Sequence, residues 1–241
     1  MSSFLSEWSA YLPDFLQGLK VTLKLTLASL AIGLPLGVLL ALASISTRRI
    51  IRWLFISLVE IGRGAPGLIV LYLVYYGLPQ IHLTWSSFVS AVIGLSFTTG
   101  AYTSEIFRAG INAVPNGQRE ASQALGLSRG MELRLVVLPQ AIKIVIPPIV
   151  GFSILLYQGT SLAFAISVPE LLSHAYNTAT ITYQFTAALT LAGVMYAVIS
   201  LAAVGLLRFP LEAPRRHRFR ERPSLTLGII NEVENNIHPH H

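Results

Sequence analysis

From Val21 to Ile45 the chain carries a single charge, Lys24, and at 1.5 Å rise per residue a helix of that length crosses the ~30 Å hydrocarbon core of a bilayer. Four more apolar runs follow, from about Trp53 to Leu78, Phe88 to Phe107, Ala141 to Ile166 and Phe185 to Leu207. Backbone polar groups inside lipid have to be satisfied within their own segment, so the runs are read as helices. Together they leave no room for a water-soluble core. The composition agrees: 53% hydrophobic and 12% charged, about half the charged share of a soluble domain, with a mean hydropathy of +0.63. The expected fold is therefore an all-α integral membrane protein of about five transmembrane helices. Cysteine is absent, which excludes disulfides and thiol chemistry. The net charge of +6 does not point to nucleic acid. The basic residues fall in short clusters at the ends of apolar runs, where they meet lipid headgroups. No cleaved signal peptide is expected, because Met1 to Gln17 is mixed and only weakly apolar.

The second run contains Glu60 and Arg63, so an interfacial helix is expected first and the span itself from near Ala65. Pro66 suits the first turn of that span. Pro147 and Pro148 are expected to kink or break the fourth helix. Arg48, Arg49 and Arg52 follow the first run, while the loop from Gly77 to Ser87 has no charged residue and that from Ser167 to Gln184 has only Glu170. Cytoplasmic loops concentrate Lys and Arg, so the N-terminus is expected outside and the C-terminus in the cytoplasm. Lys20 and Lys24, the exceptions, can snorkel outward. Residues 1–18 then form an extracytoplasmic or interfacial segment, 19–208 the transmembrane domain and 209–241 a basic cytoplasmic tail. The closing His238-Pro239-His240-His241 lacks a companion ligand and is read as a chain end, with no metal site expected.

Between the third and fourth runs lies Pro115-Asn116-Gly117-Gln118-Arg119-Glu120-Ala121-Ser122-Gln123-Ala124-Leu125-Gly126-Leu127-Ser128-Arg129. Ala121, Ala124 and Leu125 share one helical face on which small side chains allow close approach of another surface. Gly126 is placed to stop the helix in a left-handed conformation. Ser128 can cap a second helix through Arg129 to Val137, leading to Pro139 and the fourth span. The segment, about 112–138, reads either as an L-shaped elbow or as an amphipathic loop helix lying on the membrane.

The spacing Glu120-Ala121-Ser122, three residues, Gly126, nine residues, Val136-Val137-Leu138-Pro139 resembles the EAA loop of permeases in ATP-binding-cassette (ABC) importers. Glu60-Ile61-Gly62-Arg63-Gly64-Ala65-Pro66, Tyr75-Tyr76-Gly77-Leu78-Pro79, Gly100 to Gly110 and Val114-Pro115-Asn116-Gly117-Gln118 look like the polar amino acid subfamily, which serves histidine, glutamine, arginine and opine importers. The likeness covers Leu19 to Arg208. It implies a type I permease fold, a second permease, identical or paralogous, a dimer of cytoplasmic ATPase subunits that bind ATP and Mg, and an extracytoplasmic solute-binding protein. It also implies that Glu120, Ala121, Ser122, Gly126, Leu138 and Pro139 couple the ATPase to the spans, Glu120 through a charged contact and Gly126 through the angle of the elbow. Ser122 departs from the usual third Ala. Where the subfamily commonly reads N-x-x-x-x-L-L-K-D-T-S, Val150, Tyr157 and Gln158 stand for Asn, Lys and Asp, which bears on the solute.

The chain has no G-x-x-x-x-G-K-[ST] loop, so it holds no nucleotide cofactor of its own by that route. It is expected to be a transporter subunit and not an enzyme. Thr98, Thr99, Tyr102, Gln158, Thr160 and Ser161 are the candidates for the solute path, since hydroxyls and amides replace water around a polar solute; the alternative is hydrogen bonding between helices. Glu60 with Arg63, and Glu105 with Arg108, are spaced as simple ion pairs. Glu170, Tyr176 and Asn177 lie where a binding protein would dock. Two other classes stay open: an intramembrane hydrolase using Ser153 and His174, and a channel or secondary carrier working without ATP.

Overall fold

The computed structural model describes the backbone of residues 2–211 and the side chains of residues 7–205; the expected basic tail beyond residue 211, with its terminal histidines, lies outside the described residues. Helix α1 is a single helix, Ser2–Ser44, that contains Pro13 and Pro35. The expected boundary near Leu19 thus falls inside a helix. Its first turns are held by tertiary contacts: Trp8 Nε1 donates to the Ala187 C=O at 3.1 Å, and Phe15 is buried in a cluster with Leu171, Ala175, Ala188 and Leu191.

Helix α2, Arg49–Gly64, is followed after a 104° bend by a second limb ending at Ile81. That limb opens as α3, Gly67–Tyr72, and continues through a π turn, Leu73–Gly77, and a 3-10 turn, Leu78–Ile81. Ala65 and Pro66 have extended ψ values of 132°, so the new helix expected from near Ala65 starts at Gly67, with Pro66 as its N-cap and not in its first turn. Gly62 packs against Ala101, near the middle of α4, Ser87–Asn112. The bend thus lies against α4, between two limbs that both pack on it.

Helix α4 is the centre of the bundle. Ser90, Ser96, Thr99, Gly100, Thr103 and Ser104 are all buried on it, and Ser96, Thr103 and Ser104 donate to backbone carbonyls. Enclosed by protein, it need not be as apolar as a lipid-facing span, and it is not among the helices that pass as spans on composition alone. Small residues let α1 approach it closely: a Cβ on Gly33 would come within 2.6 Å of the Thr99 side chain, and one on Gly37 would collide with Thr103 Oγ1. Gly33 meets Thr99 and Gly37 meets Thr103, so α1 and α4 run parallel. Gly62 meets Ala101 while Leu71 meets Gly94, so the bent crossing runs opposite to them.

After α4 come α5, Asn116–Ala124, α6, Arg129–Glu132, a π turn, Leu133–Val137, and α7, Leu138–Gly159. Each Leu-Pro pair, Leu78-Pro79 and Leu138-Pro139, directly follows a π turn in which the Leu N–H reaches five residues back. A proline ring presses on the carbonyl four residues earlier, and widening that turn relieves the clash without ending the helix. Pro147 and Pro148 do not break α7; regular α geometry gives way only at Thr160–Ile166, a 3-10 segment. Helices α8, Leu171–Thr182, and α9, Phe185–Leu211, complete the bundle.

Candidate functional site

Two regions carry the polar chemistry, a cavity at the α2–α3 break and the elbow after α4. The cavity measures about 520 Å³ and is lined by Arg63 to Gly67 at the break, by Leu95, Thr98 and Tyr102 of α4, and by Phe152, Leu155, Leu156, Gly159 and Leu162. Thr98 and Tyr102 are four apart and share one helical face. Tyr102 stacks on Phe152, with ring centroids 5.6 Å apart and planes 25° apart, and its hydroxyl donates to the Arg63 C=O at 3.1 Å. Arg63 pairs with Glu60 at 3.2 Å. The interrupted backbone thus borders a cavity lined by protein.

Of the six residues expected on the solute path, only Thr98 and Tyr102 reach this cavity. Thr99 is rotated by one helical step and packs against Gly33 of α1; its buried hydroxyl has no hydrogen-bond partner. Thr160 is fully buried and donates to the Tyr157 C=O at 2.6 Å. Gln158 donates to Ser200 Oγ of α9 at 3.1 Å, and Ser161 to the Gln158 C=O at 2.8 Å. Sequence reasoning placed the break but missed Phe152, Leu155 and Leu156, and with them the cavity beside it. The signal available for the break was Gly64, Pro66 and Gly67 close together.

The elbow consists of two helices separated by a stop at Gly126. Gly126 has φ +74°, the Leu127 N–H donates to the Ser122 C=O at 3.1 Å and the Gly126 N–H to the Gln123 C=O at 2.9 Å. This pair of bonds is the Schellman stop that a left-handed glycine makes without strain. The Ser128 side chain accepts from the Met131 N–H at 3.4 Å and caps α6. Glu120, Ala121 and Ala124 are exposed, as is Leu125 at 81%. Ser122 is not part of that surface. It is 2% exposed, with its hydroxyl donating to the Arg119 C=O at 2.7 Å, because three consecutive helical positions cannot share a face. Leu138 lines an apolar pocket of about 210 Å³ with Val38, Phe107, Ile111 and Val145, away from the exposed face of α5. Pro139 is exposed at the start of α7.

The expected ion pair of Glu105 with Arg108 forms at 3.0 Å. Glu170 is fully buried and so offers no docking surface. Its carboxylate caps α8, accepting from the Leu172 and Ser173 N–H groups at 2.9 and 2.8 Å, and accepts from Tyr196 Oη at 2.6 Å. Burial raises its pKa above the usual carboxylate range against those hydrogen bonds. Tyr176 and Asn177 are exposed. Ser153 donates to the Ile149 C=O at 2.8 Å, whereas His174 Nδ1 lies 3.0 Å from Asp14 Oδ1. The two residues of a hypothetical hydrolase are each committed elsewhere. Among the described residues no group of three His, Asp or Glu is placed to hold a metal ion.

Helical crossings around a small-residue α4, one of them broken beside a cavity, and an elbow between two crossings define a membrane transport subunit with the type I ABC importer permease fold. The chain belongs to the binding-protein-dependent transport system inner membrane components, the family whose model matches residues 33–209. It is 39% identical over 191 residues to the arginine transport system permease protein ArtQ of Bacillus subtilis, covering 79% of this chain and 87% of that protein. It is 34% identical over 204 residues to the histidine/lysine/arginine/ornithine transport system permease protein HisM of Salmonella typhimurium, covering 79% and 86%. Among solved structures, the crystal structure of an amino acid ABC transporter with histidines matches at a TM-score of 0.81 and 35% identity over 85% of this chain and 95% of that chain. An inward-facing MetNI methionine ABC transporter shares the fold at a TM-score of 0.64 and 22% identity, over 81% of this chain and 95% of that chain. The chain is a multi-pass membrane transporter subunit and not an enzyme.

Proposed function

We propose that the chain is the permease subunit of an ATP-driven importer for a polar amino acid. It works as one of two permeases, receives solute from an extracytoplasmic binding protein and is driven by a pair of cytoplasmic ATPase subunits that bind ATP and Mg. The observation that carries the reading is the exposed face of α5: Glu120, Ala121, Ala124 and Leu125 project from a helix stopped by Gly126 and tied to α4 and α7 at its back. An apolar residue exposed at 81% at the C-cap of a polar nine-residue helix fits a protein partner better than water. A carrier without a motor has no use for such a lever. In this reading the N-terminus is outside and the elbow cytoplasmic, in line with Arg48, Arg49 and Arg52 after α1.

The cavity at the break takes the solute. Tyr102, Thr98 and the Arg63 guanidinium supply its polar contacts, Phe152 and Leu155 its apolar wall. The amino acid permeases among the relatives support an amino acid as cargo. Leu138 and Pro139 act by leading the elbow into α7. Ser122 acts inside the elbow.

The test is copurification from detergent extract with the intact chain and a Gly126→Val variant, identified by mass spectrometry and paired with uptake in vesicles. Recovery of an ATPase subunit with the intact chain, weakened in the variant, supports the reading. A chain that comes down alone and transports without ATP makes it a secondary carrier.

A further inference from the structure

The elbow contains a charge that its exposed face does not use. Glu132, in the first turn of α6, is only 6% exposed, and a buried carboxylate is unfavourable unless its oxygens are matched. Both are matched by α5. Arg119 Nη1 lies 3.5 Å from Oε1, and Gln123 Nε2 donates to Oε2 at 3.2 Å. Arg119 and Gln123 are four apart, on the side of α5 turned away from Ala121 and Leu125. The other terminal nitrogen of Arg119 donates to the Ile111 C=O in the last turn of α4 at 2.8 Å. Beneath them Ile111, Val114, Val137 and Ala141 close an apolar cluster. The carboxylate thus holds α5 through Arg119 and Gln123, Arg119 carries the tie on to the end of α4, and Gln140 of α7 donates to Gln118 Oε1 of α5 at 3.2 Å.

A latch is needed at this point for a physical reason. A nine-residue helix is not stable by itself, and α5 hangs between the turn at Ala113 to Pro115 and the stop at Gly126. The segment joining α6 to α7 is a π turn, a softer connection than regular helix. Force applied to the exposed face would be absorbed by rotation at these joints unless the back of α5 were fixed.

We propose that Glu132 and Arg119 form a latch that makes α5 a rigid extension of α4 and α7, and that they are positioning residues for the transfer of motion from the ATPase to the spans. The proposal rests on the coupling reading given above. Breaking the latch leaves ATP hydrolysis by the partner subunits running while less of it is converted into transport.

The assembled transporter in proteoliposomes, with a mixture of radiolabelled L-amino acids as probe, gives ATP hydrolysis and uptake side by side. Glu132→Gln and Arg119→Gln should each lower uptake per ATP at least fivefold with hydrolysis within twofold of the intact protein, and the double variant should lose no more than either single one, as for two groups acting as a unit. Hydrogen exchange on the permease is a second readout, independent of transport: in Glu132→Gln the Leu125 and Leu127 amides should exchange at least fivefold faster, with α4 up to Thr103 unchanged. Unchanged uptake per ATP, additive losses or unchanged exchange each overturn the latch. Ala121→Trp on the exposed face separates the two ideas. If it leaves ATPase copurification intact, the coupling reading fails. If it abolishes copurification while the latch variants transport normally, the latch alone fails.

Discussion

Replacing Gly126 by alanine tests the elbow in its most local form. Gly126 sits at φ +74° with nothing within 4 Å of where a Cβ would stand, so the substitution introduces no clash and the effect is backbone strain alone. A non-glycine residue in the left-handed region costs about 1–2 kcal/mol, offset by roughly 0.4–1 kcal/mol from the stiffer unfolded chain. The net is about 1 kcal/mol, or some fivefold in a local equilibrium. Gly130 is the control. It also has open space around its missing Cβ but lies in α6 without a positive φ, and alanine there should gain about 0.5–1 kcal/mol. The assay is hydrogen exchange at the Leu127 amide, whose bond to the Ser122 C=O closes the stop. Gly126→Ala should speed its exchange about fivefold, and Gly130→Ala should leave it unchanged or slow it. Equal rates in all three proteins, or equal acceleration by both alanines, would refute the assignment of Gly126 as the angle-setting residue.

Glu170→Ala removes the α8 cap and strands a buried Tyr196 hydroxyl, an expected loss of about 2–4 kcal/mol seen in thermal unfolding in detergent. Because burial raises the pKa of Glu170 above its ordinary 4.5, its contribution to stability is complete below that value and is lost as pH rises through the folded-state value; Glu170→Gln should flatten that slope in unfolding curves across mildly acidic pH. Gly37→Ala drives a methyl into Thr103 Oγ1 and should destabilise by about 1–3 kcal/mol, with Thr103→Ala restoring most of the melting temperature. Thr99→Val, which replaces a hydroxyl without a partner, should leave uptake unchanged, whereas Tyr102→Ala should raise the KM for uptake several-fold; equal effects of the two would dissociate the cavity from transport.

The spans were legible because a run such as Val21 to Ile45 has no alternative environment, and the elbow because its stop and cap are local signals: Gly126 and Ser128 do their work with backbone groups three to five residues away. What the sequence left open was direction. Thr98 and Thr99 are chemically alike and one residue apart, yet about 100° of helix rotation sends one to the cavity and the other against Gly33. A half-buried helix betrays its inner face by contrast of polarity, but α4 is enclosed and carries hydroxyls on several sides. Ala121 and Ser122 pose the same difficulty on α5. Glu60 and Arg63 suggested an interface, but no local pattern reports that the backbone at Arg63 meets Tyr102 of α4 at the edge of a cavity. The helical turns before Leu19 depend on contacts of Trp8 and Phe15 with α8 and α9, which no local pattern reports.

The glycines divide by what surrounds them, and the division bears on how such a chain moves. Gly18, Gly33, Gly37, Gly62, Gly100 and Gly110 each have a neighbour that a Cβ would strike; five of them lie where α1, α2 or α7 meets α4, and Gly18 where α1 meets α8. Packing that close admits little sliding, so α1 and α4 form a fixed frame. Gly64, Gly126 and Gly159 have open space and stand at the break, the elbow and the end of α7, the places where regular helix stops. A helix end can change its backbone angles without repacking a core, and hinges are drawn from such positions. The cavity is bounded by two of these three, Gly64 and Gly159. In the proposed coupling, a push delivered to α5 would reach α7 through the latch and alter the cavity wall at Gly159 while Thr98 and Tyr102, on the frame, stay in place. The polar contacts for a solute would then be fixed, and the apolar wall of Phe152 and Leu155 would be the part that moves.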